Sequence, residues 1–312
     1  MKKRLTLLCI LVNLSLFAQD SVLKQHIKFT NEVLDVIERH SIFSDSIDWP
    51  VFRKEMDFLT SAHYQDTGYL VMRRIINELQ KYGDNYSFWR TRKRVKELNQ
   101  KLGNLRSPKL VEAKKGIEHL TIPSYTNRGD LDLYLYIDSA LRQIEAMDDS
   151  SKMKGWIIDL RGNSGGNMYP MTSSILPFIQ EDSLGYFLTR KDKTAWIKNF
   201  RKPSLVTQRI KKYKCKDLNT KIAVLIDNKT ASAAEMTAIS LIGLSNVKLF
   251  GQTSAGKTTG NRVFYLSNGS MLALATSWAI DRKGKIYYGP IIPDVTTSEA
   301  ETLVKAIDWL EE

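Results

Sequence analysis

The pattern of apolar and polar positions changes twice along the chain. Residues 1–18 start with three basic residues and continue into an apolar run of about a dozen, which is typical of a secretory signal peptide. That run is shorter than the roughly 20 residues that a relaxed transmembrane helix needs. Over 19–110, apolar residues recur three and four positions apart, most clearly in 22–37 and 69–82. We therefore predict a helical N-terminal domain at 19–110, exported by the signal peptide at 1–18.

From residue 111 to 312, short apolar runs alternate with amphipathic segments. Such runs between helical patterns predict an α/β domain whose sheet is covered on both faces. We expect strands at 117–122, 155–160, 222–226, 247–250 and 271–275, and helices at 131–147, 170–179, 233–244 and 298–310.

Composition narrows the partners of this protein. Apolar residues make up 43% and charged residues 26% of 312, which argues against a disordered chain. The net charge of +12 falls to about +9 without the three basic residues of 1–18. Much of it lies in 191–216, and the basic run 209–216 lacks interleaved aromatic residues apart from Tyr213, so a solvated loop is favoured over a nucleic-acid site. We expect no nucleic-acid partner, and membrane association only if the signal peptide stays uncleaved.

Three junctions between a strand and a turn carry candidate chemistry. The glycine-rich turn 161–166 can hold an oxyanion, or it can be a tight packing turn. Ser232 precedes a helix, and its spacing to Glu235 favours a helix cap over a nucleophile. Lys257 follows the third strand; it is an exposed lysine by default, and acting as a base requires burial.

Four motifs in this order resemble a known family. Asp159–Gly166, Thr230–Glu235, Gly251–Lys257 and Gly289–Asp294 are similar to the signatures of the C-terminal processing, or tail-specific, serine proteases. Only 107–115 separates the helical domain from the core, which resembles the compact branch of nisin-resistance proteins that lacks a PDZ module. The resemblance implies a ClpP/crotonase-like α/β core with an N-terminal helical domain.

The resemblance also implies roles for individual residues. Ser232 corresponds to the nucleophile, and the amides of Gly166 and Ala233 correspond to the oxyanion hole. In the branch with a Ser-Lys dyad the lysine follows the nucleophile by 25 residues, and Lys257 has this spacing. The substrate is expected to be a peptide or protein. No metal-ligand spacing or nucleotide-binding glycine pattern occurs, so we expect no metal and no cofactor.

One position departs from the compact branch, where a Gly-Asp-x-His-Ser-Phe stretch carries the catalytic histidine. Residues 83–88 have Tyr86 at that position, and tyrosine, with a pKa of about 10, is a poor general base. The four histidines of the chain lie elsewhere, at His26, His40, His63 and His119.

Three interpretations of the function stay open. The first is an exported serine endopeptidase or carboxy-terminal processing peptidase that uses Ser232 and Lys257. The second is a pseudoprotease that binds peptides without cleaving them. The third is an acyl-thioester enzyme of the crotonase type, which export disfavours because coenzyme A is a cytoplasmic metabolite.

Overall fold

A computed structural model of the chain describes residues 2–63, 68–100, 105–127, 129–148, 152–180, 183–197 and 214–312. The chain forms two compact units. Unit 1 consists of Met1–Lys101 and Asn261–Ser277, and unit 2 consists of Leu102–Gly260 and Trp278–Glu312.

Unit 1 is mainly helical. Its helices are α1 (Lys2–His40), α2 (Trp49–Ala62), α3 (Tyr69–Lys81) and α4 (Arg92–Gln100), and the short strand β1 (Phe88–Arg90) precedes α4. Helix α2 begins where the Asp48 side chain accepts a hydrogen bond from Val51 N at 3.2 Å, the usual form of an N-cap. Apolar residues three and four apart face the core as predicted, and the fully buried ones include Val33, Leu34, Ile37, Met56, Met72, Ile75 and Leu79.

Unit 1 also contains strand segments that are distant in sequence. Strands β9 (Thr259–Tyr265) and β10 (Met271–Ile280) contribute residues to both units, and within unit 1 the first residues of β10 pair antiparallel with β1. The backbone of Ala275 accepts a hydrogen bond from Ile42 N at 3.2 Å. The run 271–275 was expected in the sheet of the core, and this expectation was wrong. An apolar run predicts burial but does not identify the strand it pairs with.

Unit 2 contains a six-stranded sheet. Its members are β2 (Lys109–Lys114), β3 (Ile117–Thr121), β4 (Gly155–Asp159), β7 (Lys221–Ile226), β8 (Val247–Gly251) and β12 (Val295–Thr296), in the spatial order β12-β8-β7-β4-β3-β2. All neighbours are parallel except the β2–β3 pair, which is antiparallel. The central strands are the four that the sequence predicted.

Helices cover both faces of this sheet. On one face, Trp156 and Ile158 pack in a cluster with residues of α5 (Asp130–Met147), α6 (Met168–Ser174) and α7 (Ala233–Ile239). On the other face, Ile157 packs with residues of α8 (Glu299–Glu311). Alternate side chains of β4 thus enter two different cores, which explains why Trp156, Ile157 and Ile158 are all apolar. The predicted α/β class with N-terminal helices is confirmed.

The remaining elements of unit 2 are antiparallel. Strands β5 (Ser183–Leu188) and β6 (Lys193–Ile197) pair with each other, and the end of β10 pairs with β5 and with β11 (Ile286–Tyr287). The predicted helix 233–244 is shorter than expected, and the segment predicted as helix 170–179 forms α6 followed by a 3₁₀ turn at Leu176–Phe178.

The observed units differ from the predicted domains in two respects. Unit 2 begins at Leu102, ahead of the predicted boundary at 111, and residues 261–277 belong to unit 1. Cleavage after residue 18 stays a prediction, and most of the basic segment 191–216 lies outside the described residues. Within the described part of the chain, no helix has the length and apolar character needed to cross a membrane.

Candidate active site

Ser232 lies at a sharp bend between β7 and α7. Its φ and ψ are 55° and −115°, and it is the one non-glycine residue with positive φ among those described. A non-glycine residue in such a conformation costs of order 1–3 kcal/mol and persists only where its surroundings fix it. The side chain is half-buried at the N-cap of α7. A strained serine between a strand and a helix is the geometry of a nucleophile elbow.

Glu235 holds the backbone of this bend. It is fully buried, and its Oε2 accepts hydrogen bonds from Ser232 N at 2.7 Å and from Lys257 N at 2.8 Å. Its Oε1 accepts from Gly256 N at 2.8 Å and from Ser254 Oγ at 2.5 Å. Burial raises the pKa of the Glu235 carboxyl above its ordinary value, against the lowering effect of these four hydrogen bonds. The carboxylate is a structural partner of the helix start, as the sequence predicted.

The glycine-rich turn packs directly against the serine bend. A Cβ atom on Gly165 would lie 2.9 Å from Ser232 Cβ and 3.1 Å from Ala233 N. Asn163 fixes the turn, because its Oδ1 accepts from Gly165 N at 2.9 Å and its backbone oxygen accepts from Ala231 N at 3.0 Å. The fold therefore brings together two motifs that lie about seventy residues apart in the sequence.

The two expected oxyanion donors lie on either side of this contact. Ala233 is the first residue of α7, so its N–H has no acceptor within the helix. Gly166 follows Gly165 with φ of 126° and forms a parallel bridge with Tyr125, whose backbone oxygen also accepts from Asn167 N at 2.8 Å. This bridge fixes the backbone of the turn beside the serine.

Lys257 contacts the serine bend through its backbone N–H group and not through its side chain. Its N–H bonds to the same Glu235 oxygen as Ser232 N, but its side chain is exposed. Among the described residues, no hydrogen bond joins Lys257 Nζ to Ser232 Oγ. The dyad prediction required burial of this amine, and the structure does not meet that requirement.

Tyr86 lies in unit 1, in the loop after α3. The Asp84 carboxylate accepts from Tyr86 N at 3.0 Å, from Ser87 N at 2.8 Å and from Ser87 Oγ at 2.6 Å. The Tyr86 backbone oxygen accepts from Asn261 Nδ2 at 2.9 Å, and its side chain is half-buried. The acidic residue of this stretch therefore shapes the loop backbone.

Two of the histidines contact other side chains in the structure. His119 Nε2 lies 2.9 Å from Asp159 Oδ2, and the His40 ring stacks on Phe264 with centroids 5.2 Å apart. His63 follows α2 as its C-cap residue. In the described part of the chain, no group of three or more His, Cys, Asp or Glu residues is arranged to hold a metal ion.

Sequence reasoning missed two residues that organise the site. Asn163 is buried and crosslinks the glycine turn to the serine bend, and Ser254 is buried and donates to Glu235. A short polar residue between glycines is a turn signal, yet the spacing gives no sign of a contact across two motifs.

Comparisons with known proteins agree with this geometry. Residues 117–297 match the family described as Peptidase family S41. The nisin-resistance protein of Lactococcus lactis subsp. lactis is 29% identical over 91% of this chain and 86% of that protein. The carboxy-terminal processing protease CtpA of Bacillus subtilis is 29% identical over 48% of this chain and 30% of that protein.

Two solved structures are similar to this chain over most of its length. A lipoprotein from Streptococcus agalactiae has a TM-score of 0.76 and 29% identity, covering 92% of this chain and 96% of that chain. A structure from Parabacteroides merdae, with a TM-score of 0.57 and 16% identity over 92% of this chain and 97% of that chain, supports the fold alone. The resemblance predicted from the four motifs is confirmed.

Proposed function

The chain belongs to peptidase family S41, and we propose that it is an exported serine endopeptidase or carboxy-terminal processing peptidase acting through an acyl-enzyme on Ser232. The observation that carries this proposal is the strained bend at Ser232, with φ of 55°, packed against the glycine turn at Gly165. A purely structural N-cap does not require positive φ, because capping residues ordinarily adopt β-region angles.

The proposed reaction has two stages. Ser232 Oγ attacks the carbonyl carbon of the scissile peptide bond, and the resulting oxyanion accepts hydrogen bonds from the amides of Gly166 and Ala233. The Oγ–H proton passes to the base during the attack, the carbon–nitrogen bond then breaks, and the amine leaves with that proton. Water hydrolyses the ester and restores the Ser232 hydroxyl. Each oxyanion donor contributes about 2.7–4 kcal/mol in comparable sites.

The proton acceptor in this proposal is Lys257. The Lys257 side chain is exposed, so it can act as a base only when a bound peptide covers it and excludes water. Catalytic contacts are often incomplete before substrate binds, which makes this requirement compatible with an exposed side chain in the free protein. The backbone of Lys257 already shares the Glu235 carboxylate with Ser232.

A second candidate is a peptide-binding protein without turnover. Two observations favour it: Tyr86 replaces the histidine of the compact branch, and Lys257 is exposed. Under this alternative, peptides bind beside Ser232 but are released uncleaved. The two candidates share the site and differ only in whether a proton acceptor is present.

Labelling with a fluorophosphonate tests the nucleophile. We expect the wild type to be labelled and Ser232→Ala to be unlabelled, with unchanged labelling of Ser245→Ala, which removes an exposed serine hydroxyl from the same unit. Circular dichroism and thermal unfolding confirm that each variant is folded. Equal labelling of Ser232→Ala and the wild type removes Ser232 from the mechanism.

Two further variants identify the base. If Lys257 is the acceptor, Lys257→Ala abolishes peptide cleavage and Tyr86→His produces no gain. If the histidine was lost, Tyr86→His raises the cleavage rate by about 10²-fold or more, the scale of a general base.

The charge of the chain constrains its substrates. A net charge near +9 for residues 19–312 weakens long-range attraction of cationic peptides, so the substrate implied by the name of the Lactococcus relative is not carried over. We propose neutral or acidic peptide tails as substrates. As ionic strength is lowered, the cleavage rate of a neutral or acidic peptide should not fall, whereas that of a cationic peptide of equal length should fall because its repulsion by the protein is less screened.

A further inference from the structure

The candidate active site contains a carboxylate, that of Asp227, which the proposed reaction does not use. Asp227 follows the end of β7 and begins the loop that leads to Ser232. Its side chain is half-buried. Because β7 runs parallel to β4, the ends of these two strands lie at the same edge of the sheet, and the glycine turn follows β4 there.

The two oxygens of this carboxylate bond different segments of unit 2. Asp227 Oδ2 accepts a hydrogen bond from Gly162 N at 2.9 Å, in the glycine turn. Asp227 Oδ1 accepts from Lys229 N at 3.0 Å and from Thr230 N at 2.8 Å, in the loop before Ser232. Asp227 thus joins the turn that carries an expected oxyanion donor to the loop that carries the proposed nucleophile.

A second bond joins the same two segments at a different point. The Asn163 backbone oxygen accepts from Ala231 N at 3.0 Å. A single hydrogen bond lets two segments pivot about it, whereas two bonds at different points fix their relative angle. The bonds of Asp227 and Asn163 together therefore set the orientation of the glycine turn relative to Ser232.

Thr230 fixes the loop itself. Its Oγ1 donates to Leu160 O at 2.9 Å and accepts from Asp227 N at 2.9 Å. Its backbone oxygen accepts from Ala255 N at 2.9 Å, in the segment that precedes Lys257. Thr230 is fully buried, so water does not compete for these bonds. A loop held in this way can transmit the position of Asp227 to the serine bend.

The contact between Asp227 and the glycine turn requires a carboxylate. A carboxylate has two acceptor oxygens, whereas an amide has one and could accept from Gly162 N or from the loop amides, but not from both. Charge contributes as well. The pKa of Arg161, the first residue of the turn, is raised chiefly by its hydrogen bonds to Asp159, and the negative charges of Asp159 and Asp227 add to this effect.

We propose that Asp227 is a positioning residue, which holds the Gly166 amide in place relative to Ser232 by bonding both segments. This inference rests on the proposed function. Asp227 takes no proton and touches no reacting atom in that reaction. A displaced oxyanion donor weakens binding of the transition state more than binding of the substrate, so loss of Asp227 should lower kcat and leave KM nearly unchanged.

Two substitutions separate this bridge from a local turn. Asp227→Ala removes every side-chain bond, whereas Asp227→Asn keeps one acceptor oxygen, which is sufficient for a local turn. The donor is the backbone N–H of Gly162, so the acceptor is the group to change. We expect a fluorophosphonate to label both variants at least about fivefold more slowly than the wild type. Labelling of Asp227→Asn at the wild-type rate would overturn the proposal, because a local turn would then account for Asp227.

Peptide cleavage adds a second readout. In both Asp227 variants the loss should appear in kcat, with KM within about twofold of the wild-type value. A raised KM with unchanged kcat would contradict a positioning role, because it would mean that Asp227 contributes to substrate binding and not to the chemical step.

Asp217 is the matched control. It is exposed, and its carboxylate accepts from Asn219 N at 2.9 Å and from Thr220 Oγ1 at 3.3 Å, both within three residues of it. Asp217→Ala and Asp217→Asn should therefore leave the labelling rate unchanged. Thermal unfolding of every variant ensures that the rates compare folded proteins. Equal slowing in the Asp217 and Asp227 variants would refute the assignment to Asp227.

Amide hydrogen exchange tests the bridge without turnover. In Asp227→Ala, the segments 161–166 and 228–231 should both exchange faster, because Gly162 N and Lys229 N lose their acceptor. Faster exchange in 228–231 alone would reduce Asp227 to a local turn residue and overturn the proposal. A wild type that is not labelled would reject the proposed function, and exchange would still decide the bridge. A wild type that is labelled no faster than Asp227→Asn would reject this inference and leave the proposed function standing.

Discussion

The contact between the glycine turn and the serine bend predicts a large effect of one methyl group. In Gly165→Ala, the new Cβ would lie 2.7 Å from Ala231 O, 2.9 Å from Ser232 Cβ and 3.1 Å from Ala233 N. Two of these atoms are backbone and cannot rotate away, so the turn or the bend must shift by a few tenths of an ångström. The displacement would therefore fall on the backbone around Ser232 or on the glycine turn.

Gly162→Ala is the matched control for this substitution. Both glycines lie in one turn with positive φ, 68° at Gly162 and 97° at Gly165, but a Cβ on Gly162 meets no atom within 4 Å. Positive φ costs an alanine about 1–2 kcal/mol at either position. Overpacking adds about 1–3 kcal/mol at Gly165 alone. We therefore expect a loss in the free energy of unfolding of about 1–2 kcal/mol for Gly162→Ala and about 2–5 kcal/mol for Gly165→Ala.

The labelling rate should separate the two variants further. A displacement near 1 Å at a reacting group costs on the order of 10²-fold in rate, so a shift of a few tenths of an ångström in Gly165→Ala should slow its reaction with a fluorophosphonate roughly several-fold. Gly162→Ala should keep most of the wild-type rate. Urea unfolding and the second-order labelling rate constant measure the two effects. If both variants lose stability equally and are labelled equally fast, the packing of Gly165 on Ser232 does not position the nucleophile.

Three other measurements probe the interior of unit 2. Glu235→Gln should lower the free energy of unfolding by about 1–3 kcal/mol or more, because an amide nitrogen replaces an oxygen that accepts two hydrogen bonds; an unchanged urea midpoint would contradict this. Burial alone would raise the pKa of Asp159, but hydrogen bonds from His119 and Arg161 hold it below its ordinary value. The stabilising effect of the Asp159 carboxylate is therefore present above its ordinary pKa near 4 and is lost as pH falls through its lower pKa in the folded state. The urea unfolding midpoint, measured over about pH 2–7, should therefore fall less steeply towards acid pH in Asp159→Asn than in the wild type. Burial also raises the pKa of the Cys215 thiol. In a protein that begins at residue 19, Cys215 should therefore react with a thiol reagent only after denaturation, and rapid reaction of the folded protein would show that Cys215 is not buried.

The predictability of the fold depended on how each strand is buried. Strands β3, β4, β7 and β8 were predicted because most of their residues are buried, which leaves apolar runs such as 156–158 in β4 and 222–226 in β7. Strand β2 (Lys109–Lys114) was missed because it is an edge strand whose residues are all exposed or half-buried, so its sequence contains no long apolar run. The run 271–275 has the same apolar character as the central strands, and only the register with Phe88–Arg90 reveals its different partner. Which strands pair depends on contacts between residues distant in the sequence, and the local pattern of apolar residues does not specify those contacts.

The sequence predicted that the segments around Ser232 and Lys257 belong to one site, but it did not predict how their side chains are placed. The resemblance to the Ser-Lys branch, in which the lysine follows the nucleophile by the same 25 residues as Lys257 follows Ser232, implied that the two side chains act as a pair. In the structure a different contact accounts for this interval: one oxygen of Glu235 accepts the backbone N–H of both residues. Selection for that shared hydrogen-bond partner would preserve the spacing whether or not the lysine amine takes part in chemistry. The conservative Lys257→Arg therefore separates the two explanations, because it keeps the backbone contact and removes the amine proposed as the base. Full cleavage by this variant would leave the spacing as a feature of the fold alone.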